Sequence, residues 1–259
     1  MKQGQSLWTR DELILVINLY CKMPFGKMHK TNAAIIELAE LIGRTPSSVA
    51  LKLGNFASFD PTLKARGIKG ASNASKLDKA IWDEFYNNWD DALLQSEEML
   101  AQKQHTTIEK INEIDVEQLP KDGKEKERLI KTRVNQSLFR KIVLATYNNK
   151  CCITGLEQPE LLIASHIVPW SKNESIRLSP MNGLCLNALH DKAFDSGLIA
   201  IRPEDYTIIL SDKLKHKKLI STALESNFIA YEKQSIILPD KFLPEPEYLD
   251  YHYQHIFRK

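Results

Sequence analysis

The sequence predicts an α+β protein with two domains, and three observations support this prediction. Residues 1–100 carry apolar side chains at helical spacing. Residues 101–127 are polar and contain Pro120 and Gly123. Residues 128–259 combine helical segments with short apolar runs that are typical of strands. We therefore expect an all-helical domain over 1–100, a polar linker over 101–127 and a mixed domain over 128–259, which 259 residues are enough to build.

Three further helices are predicted from caps and periodicity, two in the first domain and one at the start of the second. The run Thr9-Arg-Asp-Glu12 has the spacing of a capping box, so a helix begins there and runs to about Lys22. Large apolar residues recur at helical spacing over 76–102. Apolar periodicity returns over 129–145, which predicts a helix that enters the second domain.

The segment 32–53 is predicted to form two short helices, each beginning at a polar N-cap residue, with a turn at Gly43 between them. Gly43 can take the positive φ that such a turn requires. Ala39 is small enough for a close approach of the two helices, and Val49 would pack the second onto the first. Residues of these types at these offsets resemble helix-turn-helix proteins.

A helix-turn-helix would use its second helix to contact duplex DNA. We expect Ser47, Ser48 and Lys52 near the exposed face of that helix, and Arg44 in the turn, where it could contact phosphate. The alternative is a helical hairpin that only packs against its neighbours. A basic stretch, Lys121 to Lys141, could also neutralise phosphates or be a solvated linker and helix face.

Three motif strings in the second half of the chain carry the most information about function. They are Cys151-Cys-Ile-Thr-Gly155, Leu161-Leu-Ile-Ala-Ser-His-Ile-Val-Pro-Trp170 and Asn182-Gly-Leu-Cys-Leu-Asn-Ala-Leu-His-Asp-Lys-Ala-Phe-Asp-Ser-Gly197. Over about residues 130–255 the chain resembles the HNH endonuclease family, in its restriction-enzyme-like branch with Ala-Ser-His-Ile and Leu-His-Asp motifs. The resemblance implies the ββα-metal arrangement, strand, strand and helix, carrying His166, Asn182 and His190 in that order.

The chemistry of these three residues suits hydrolysis of a phosphodiester. His166 follows an apolar strand, and a histidine fixed there can deprotonate water near neutral pH. The Asn182 amide is both donor and acceptor, so it can hold loop and strand backbones together. His190 lies on a short helix over 187–194, where a neutral imidazole can ligate a divalent ion.

The chain departs from this family at two points. Ser165 stands where many relatives place an acidic residue or a second histidine before the catalytic histidine, so the negative charge that holds the ion must come from elsewhere. Either Asp191 or Asp195 contributes it, or the site relies on phosphate oxygens and waters and binds ions weakly when empty. We expect Mg²⁺ or Mn²⁺. Many relatives also carry two Cys-x-x-Cys pairs; here Thr154 follows Cys151 at that spacing and no second pair exists, which argues against structural zinc.

Further phosphate contacts are expected near the motifs. Arg133, Gln136 and Arg140 share one face of the helix that enters the second domain, and similar proteins carry such residues there. Arg177, between the two strands, is another candidate. The alternative for the first three is an ordinary helix surface.

The sequence therefore predicts a metal-dependent endonuclease that acts on double-stranded DNA, with restriction of foreign DNA, including modified DNA, as the favoured role. The alternatives are a DNA-binding regulator with a catalytically inactive HNH fold, which Ser165 would favour, and an RNA nuclease. No apolar run is long enough for a membrane helix and no signal segment is visible, so we expect a cytoplasmic protein without membrane contact. The sequence leaves a homodimer open.

Overall fold

The computed structural model describes residues 6–68, 74–117, 123–215 and 221–259. The chain divides into two compact units, Met1–Ile142 and Val143–Lys259. This division falls inside a long helix and lies later than the predicted linker over 101–127. Lys121, the first residue of the basic stretch, lies outside the described residues.

Helices build the first unit. Its described elements are α1 (Arg10–Lys22), α2 (Ala33–Leu41), α3 (Pro46–Ala57), α4 (Pro61–Ala65), α5 (Lys76–Asn87), α6 (Trp89–Lys103), α7 (Ile108–Ile111) and most of α8 (Lys124–Thr146). The capping box is present at the start of α1: the Thr9 hydroxyl accepts from Glu12 N, and the Glu12 carboxylate accepts from Thr9 N. Helix α1 is buried along most of its length and packs against α3, α5 and α6.

The predicted turn between α2 and α3 is present. Gly43 has φ +68°, which a side-chain-bearing residue adopts at a cost. Ala39 and Val49 are fully buried where the two helices pack. The order of helix, glycine turn and helix therefore agrees with the sequence pattern, and a helical hairpin that only packs has the same geometry.

Two parts of the first unit differ from the prediction. The helical segment expected over 76–102 is two helices, because Asn88 leaves the helical region at φ −149°. Its backbone N–H still donates to the last turn of α5, and its side-chain amide donates to the Asp91 carboxylate in the first turn of α6. The predicted linker contains α7, and Asn112 behind it is buried with its amide 3.1 Å from the Glu97 carboxylate. The first part of that stretch is therefore packed onto the helical unit.

The second unit combines short strands with helices. Its described elements after α8 are β1 (Leu162–His166), β2 (Gly183–Asn187), α9 (Ala188–Asp195), β3 (Ile199–Ile201), β4 (Ile208–Leu210), α10 (Asp212–Lys215), α11 (Thr222–Asn227) and α12 (Pro246–His255). Strands β1 and β2 pair antiparallel with His166 opposite Gly183, and α9 follows β2 directly and packs on both strands. The predicted order of strand, strand and helix is present.

The β3–β4 hairpin was not predicted, because its two three-residue strands are too short to show a pattern. Across the described ranges, no helix has both the length and the apolar character needed to cross a bilayer.

Candidate active site

A cavity of about 460 Å³ in the second unit is lined in part by polar residues of β1 and α9. Four polar residues of these elements line it: Ser165 and His166 from β1, and Asp191 and Asp195 from α9. The other lining residues are Ile163, Ala164, Pro169, Trp170, His252 and Ile256. The sequence motifs around 161–170 and 182–197 are thus brought to one place by the β1–β2 pairing and the turn into α9.

His166 is held by a backbone carbonyl and an aromatic ring. Its Nε2 lies 2.9 Å from Arg177 O, and Trp170 meets the ring edge-on at 5.4 Å. Because a carbonyl oxygen only accepts, Nε2 carries the proton and the basic lone pair is at Nδ1. Burial lowers the pKa of His166, and the bond to Arg177 O only partly opposes this. The ring is therefore neutral at neutral pH, the form that can accept a proton.

Asn182 ties together the loop that follows β1. Its Oδ1 accepts from Val168 N at 2.8 Å, and its Nδ2 donates to Val168 O at 3.1 Å and to Ile176 O at 3.3 Å. The side chain is buried. These bonds fix the backbone on both sides of the segment that carries Trp170, which agrees with the backbone-holding task expected of an asparagine here.

Asp191 and Asp195 stand one helical turn apart on the face of α9 that borders the cavity. Burial raises the pKa of both carboxyl groups, and the charge of Asp191 raises that of Asp195 further. The nearby Ser165 hydroxyl and Lys192 only partly lower the pKa of Asp191. Two carboxylates that resist ionisation side by side are a site where a cation would relieve repulsion.

These residues fit a hard divalent cation. The buried Ser165 hydroxyl lies beside the Asp191 carboxylate, so the cavity lining holds one hydroxyl oxygen and two carboxylates with raised pKa values. Over the ranges that the structure describes, no group of three or more His, Cys, Asp and Glu side chains is placed to hold a metal. Mg²⁺ is commonly bound by one or two carboxylates with waters and phosphate oxygens, so Asp191 and Asp195 suffice for it.

His190 lies elsewhere, although it is the neighbour of Asp191. Its ring is buried and is not part of the cavity lining. Nε2 lies 2.7 Å from Asn227 O and Nδ1 lies 3.1 Å from the Asn187 side-chain oxygen. Phe228 and Tyr231 meet the ring edge-on. This placement does not agree with the predicted metal role of His190, because both ring nitrogens are engaged away from the carboxylates.

His190 instead belongs to a hydrogen-bonded cluster with Cys151, Thr154 and Asn187. Burial raises the pKa of the Cys151 thiol, but its hydrogen bonds, above all the one with His190, outweigh this and bring the pKa to about 7. The Asn187 amide donates to the Thr154 hydroxyl at 3.4 Å. Cys151 and Thr154 have the spacing of a Cys-x-x-Cys pair, and so do Asn187 and His190. Hydrogen bonds between these two pairs join the 151–155 turn to the start of α9.

The predicted phosphate-binding residues fall into two groups. Arg177 lies beside the cavity residues: its Nε donates to Trp170 O at 2.8 Å, its guanidinium lies 5.2 Å from the Trp170 ring centre, and it pairs with Glu174 at 3.1 Å. Arg133, Gln136 and Arg140 lie on α8 within the first unit, Gln136 exposed and the two arginines half-buried.

The expectation that Lys52 lies on an exposed face is wrong. Its ammonium is buried and lies 2.7 and 2.8 Å from the two carboxylate oxygens of Asp78. Arg44 is engaged too, in a two-point ion pair with Glu12 at 2.7 and 2.8 Å and in bonds to two backbone carbonyls. Both cations stabilise the helical unit, so neither is available to phosphate in this structure.

Ser47 and Ser48 occupy the first turn of α3. Ser47 is exposed, and the Ser48 hydroxyl, half-buried, donates to Thr45 O at 2.8 Å. Sequence reasoning gave no role to His252 and Ile256, which line the cavity from α12 and the residue after it. No periodic signal linked them to motifs 60 residues earlier.

Residues 151–202 match the HNH endonuclease family model. The match includes β1, β2, α9 and the residues His166, Asn182, Asp191 and Asp195. The resemblance to the HNH endonuclease family is thus confirmed for this stretch, and the second half of the chain carries an HNH endonuclease domain. No curated protein matches the chain.

Proposed function

We propose that the protein is a metal-dependent endonuclease that hydrolyses phosphodiester bonds in double-stranded DNA. One observation carries the proposal: His166, Asp191 and Asp195 line the same cavity, in a stretch that matches the HNH endonuclease family. A base and a pair of carboxylates are the two components that water activation and cation binding require.

His166 is the general base in this proposal. Because Nε2 donates its proton to Arg177 O, Nδ1 is the basic nitrogen that would take a proton from the attacking water. Trp170 packs edge-on against the ring and restricts its rotation. Asn182 holds the following loop, so the positions of Trp170 and the Arg177 carbonyl are set by a buried amide. Its part in catalysis is therefore to hold the base in place.

Asp191 and Asp195 are the residues that would hold Mg²⁺ or Mn²⁺, with the Ser165 hydroxyl as a third oxygen donor. When bound, the ion supplies stabilisation of the negative charge on the phosphate and the leaving oxygen. Ser165 is neutral, so both negatively charged metal ligands in this proposal lie on one helix, α9. We assign the metal role to these carboxylates and a structural role to His190.

Duplex DNA is the proposed substrate, and the helical unit is proposed to bind it through a helix-turn-helix. The buried Ala39 and Val49 and the positive φ of Gly43 support that arrangement of α2 and α3. Ser47, exposed, and Ser48, half-buried, lie in the first turn of α3. Arg177 beside the cavity is a further phosphate contact, as are the α8 residues Arg133, Gln136 and Arg140.

The pairing of a DNA-binding unit with a nuclease domain supports a role in restriction. We assign the residues around the cavity to chemistry on the phosphodiester. The first unit would therefore have to read the recognised DNA sequence or base modification. A DNA-binding regulator with an inactive HNH domain is the second candidate, and the neutral Ser165 favours it.

The test is cleavage of supercoiled plasmid by the full chain with Mg²⁺, with Mn²⁺ and with EDTA. We expect nicked or linear DNA with either ion and none with EDTA. His166→Ala should lower the rate by ~10²–10⁴-fold, whereas His29→Ala, which removes an exposed histidine of the first unit, should not change it. If the parent binds the plasmid but does not cleave it under any of these conditions, the regulator is supported instead.

A further inference from the structure

His252 lies in α12, 50 residues beyond the end of the family match, yet it lines the same cavity as Ser165, Asp191 and Asp195. Its side chain is 1% exposed. A histidine this deeply buried, in the lining of a cavity that two carboxylates share, needs an explanation that the general base and the carboxylate pair do not supply.

The ring of His252 is fixed by Phe194. The two rings are stacked with their centres 3.7 Å apart and their planes 9° from parallel, and Nε2 lies 3.0 Å from Phe194 O. Since the carbonyl only accepts, Nε2 carries the proton and Nδ1 carries a lone pair. Phe194 precedes Asp195, so the histidine is attached to the end of α9 that presents one of the two carboxylates.

The other ring nitrogen has no protein partner among the described residues. Nδ1 is buried and makes no hydrogen bond there. A buried acceptor without a donor is unfavourable, so such groups are usually matched by a water or a ligand. His252 borders the cavity, so a group bound there is the candidate partner of Nδ1.

Movement of α12 cannot easily relieve this unpaired atom, because the end of α12 is attached to the end of α9. Gly197 approaches the chain so closely that a Cβ there would lie 2.1 Å from Ile256 O. Arg258 N donates to Gly197 O at 2.9 Å. The ring of His252 is therefore held at the border of the cavity from two sides.

We propose that His252 is a positioning residue of the metal site, whose Nδ1 would accept a hydrogen bond from a water of the divalent cation that Asp191 and Asp195 would hold. The inference rests on the proposed function of those carboxylates. Groups that orient the ligands of a metal from behind contribute to its affinity, and a water on a cation donates strongly because the cation polarises its O–H bonds. In this account α12 completes the site from outside the matched domain.

The test is Mn²⁺ binding by the full chain without DNA, measured by isothermal titration calorimetry. His252→Gln places an amide N–H where Nε2 donates to Phe194 O but has no acceptor at the Nδ1 position, and we expect it to weaken Mn²⁺ binding by about 10-fold. His252→Asn restores an acceptor near Nδ1 and should stay within about threefold of the parent. His255→Gln, at an exposed position three residues beyond His252 on the same helix, is the matched control.

Thermal unfolding of each variant without metal separates folding from binding. His252→Phe keeps the stacked ring, lacks the acceptor, and serves in place of the glutamine variant if that one does not fold. Parental Mn²⁺ affinity in His252→Gln, with weaker binding in Asp195→Asn, overturns this inference and leaves the proposed metal site standing. No Mn²⁺ binding by the parent, or unchanged binding in Asp195→Asn, overturns the metal site and this inference with it.

Discussion

His190 and Asp191 are adjacent in sequence but serve different sides of α9. The Asp191 carboxylate borders the cavity with His166, whereas the His190 ring is buried between Asn187, Asn227 and aromatic side chains. Successive residues of a helix are rotated by about 100°, so one of the two can face the cavity and the other the interior. We therefore propose a structural role for His190 and a metal-ligand role for Asp191.

This separation predicts that His190→Ala lowers the free energy of unfolding by about 2–4 kcal/mol, because it leaves a hole and removes the partners of buried polar groups. His29→Ala, at an exposed position, should change it by less than about 0.5 kcal/mol. Urea unfolding followed by circular dichroism measures both. Equal stability of the two variants would show that the His190 contacts are not important for folding.

Asp191 and Asp195 are expected to destabilise the metal-free protein at neutral pH. Their pKa values are raised in the folded state, so their contribution to stability is present at low pH and is lost as pH rises through those values. In EDTA at pH 7, Asp195→Asn should therefore unfold at the same temperature as the parent or higher. Added Mn²⁺ should raise the unfolding temperature of the parent more than that of the variant. A variant that is less stable in EDTA would contradict this.

The site was predictable from sequence as far as the motifs determine local structure. His166 at the end of β1, Asn182 before β2 and a helix over 188–195 all follow from apolar runs, turn residues and caps. The face of α9 that each residue occupies depends on what packs behind it. Asn227, Phe228 and Tyr231 lie about 40 residues later, and no pattern in the sequence links them to His190.

The cleavage rate should stay at its plateau down to a lower pH than it would with an exposed histidine as the base. Burial lowers the pKa of His166 from its ordinary value of 6.5, so the neutral base persists as pH falls through that value. We expect the acid limb of the pH–rate profile at saturating Mn²⁺ to lie below pH 6.5. Trp170→Ala exposes the ring and should move that limb upward. A limb above pH 7 in the parent would contradict the burial argument.

The start of α3 provides a test of DNA binding that is separate from folding. Acidic residues in the first turn of a helix are favourable, so Ser47→Glu and Ser48→Glu should not lower the unfolding temperature. If this turn faces DNA phosphate, each should weaken duplex binding several-fold at low salt, with less effect as salt rises. Fluorescence anisotropy with a labelled duplex measures this. Unchanged affinity in both variants would favour a hairpin that only packs.

The partner of Lys52 shows why side-chain contacts in the first unit were harder to predict than the turn at Gly43. The caps and Gly43 are local signals, but the partner of Lys52 is Asp78, 26 residues later. Lys52→Ala would leave the Asp78 carboxylate buried and unpaired, so we expect a loss of about 3–5 kcal/mol of stability. The double variant Lys52→Met with Asp78→Asn should recover much of this loss, because an asparagine oxygen can still accept from Ser75 N and Asn55 Nδ2. Urea unfolding distinguishes the two; a single variant as stable as the parent would contradict the buried pair.

The assignment of the metal to the α9 carboxylates is tested most directly by the Mn²⁺ concentration that gives half-maximal plasmid cleavage. The measurement compares the parent with Asp195→Asn and with His190→Gln, which keeps an amide to donate to Asn227 O. We predict that Asp195→Asn raises the required concentration by about 10-fold or more, since it removes one of two charged ligands. His190→Gln should leave it within about twofold. A requirement raised by His190→Gln and unchanged by Asp195→Asn would contradict the account.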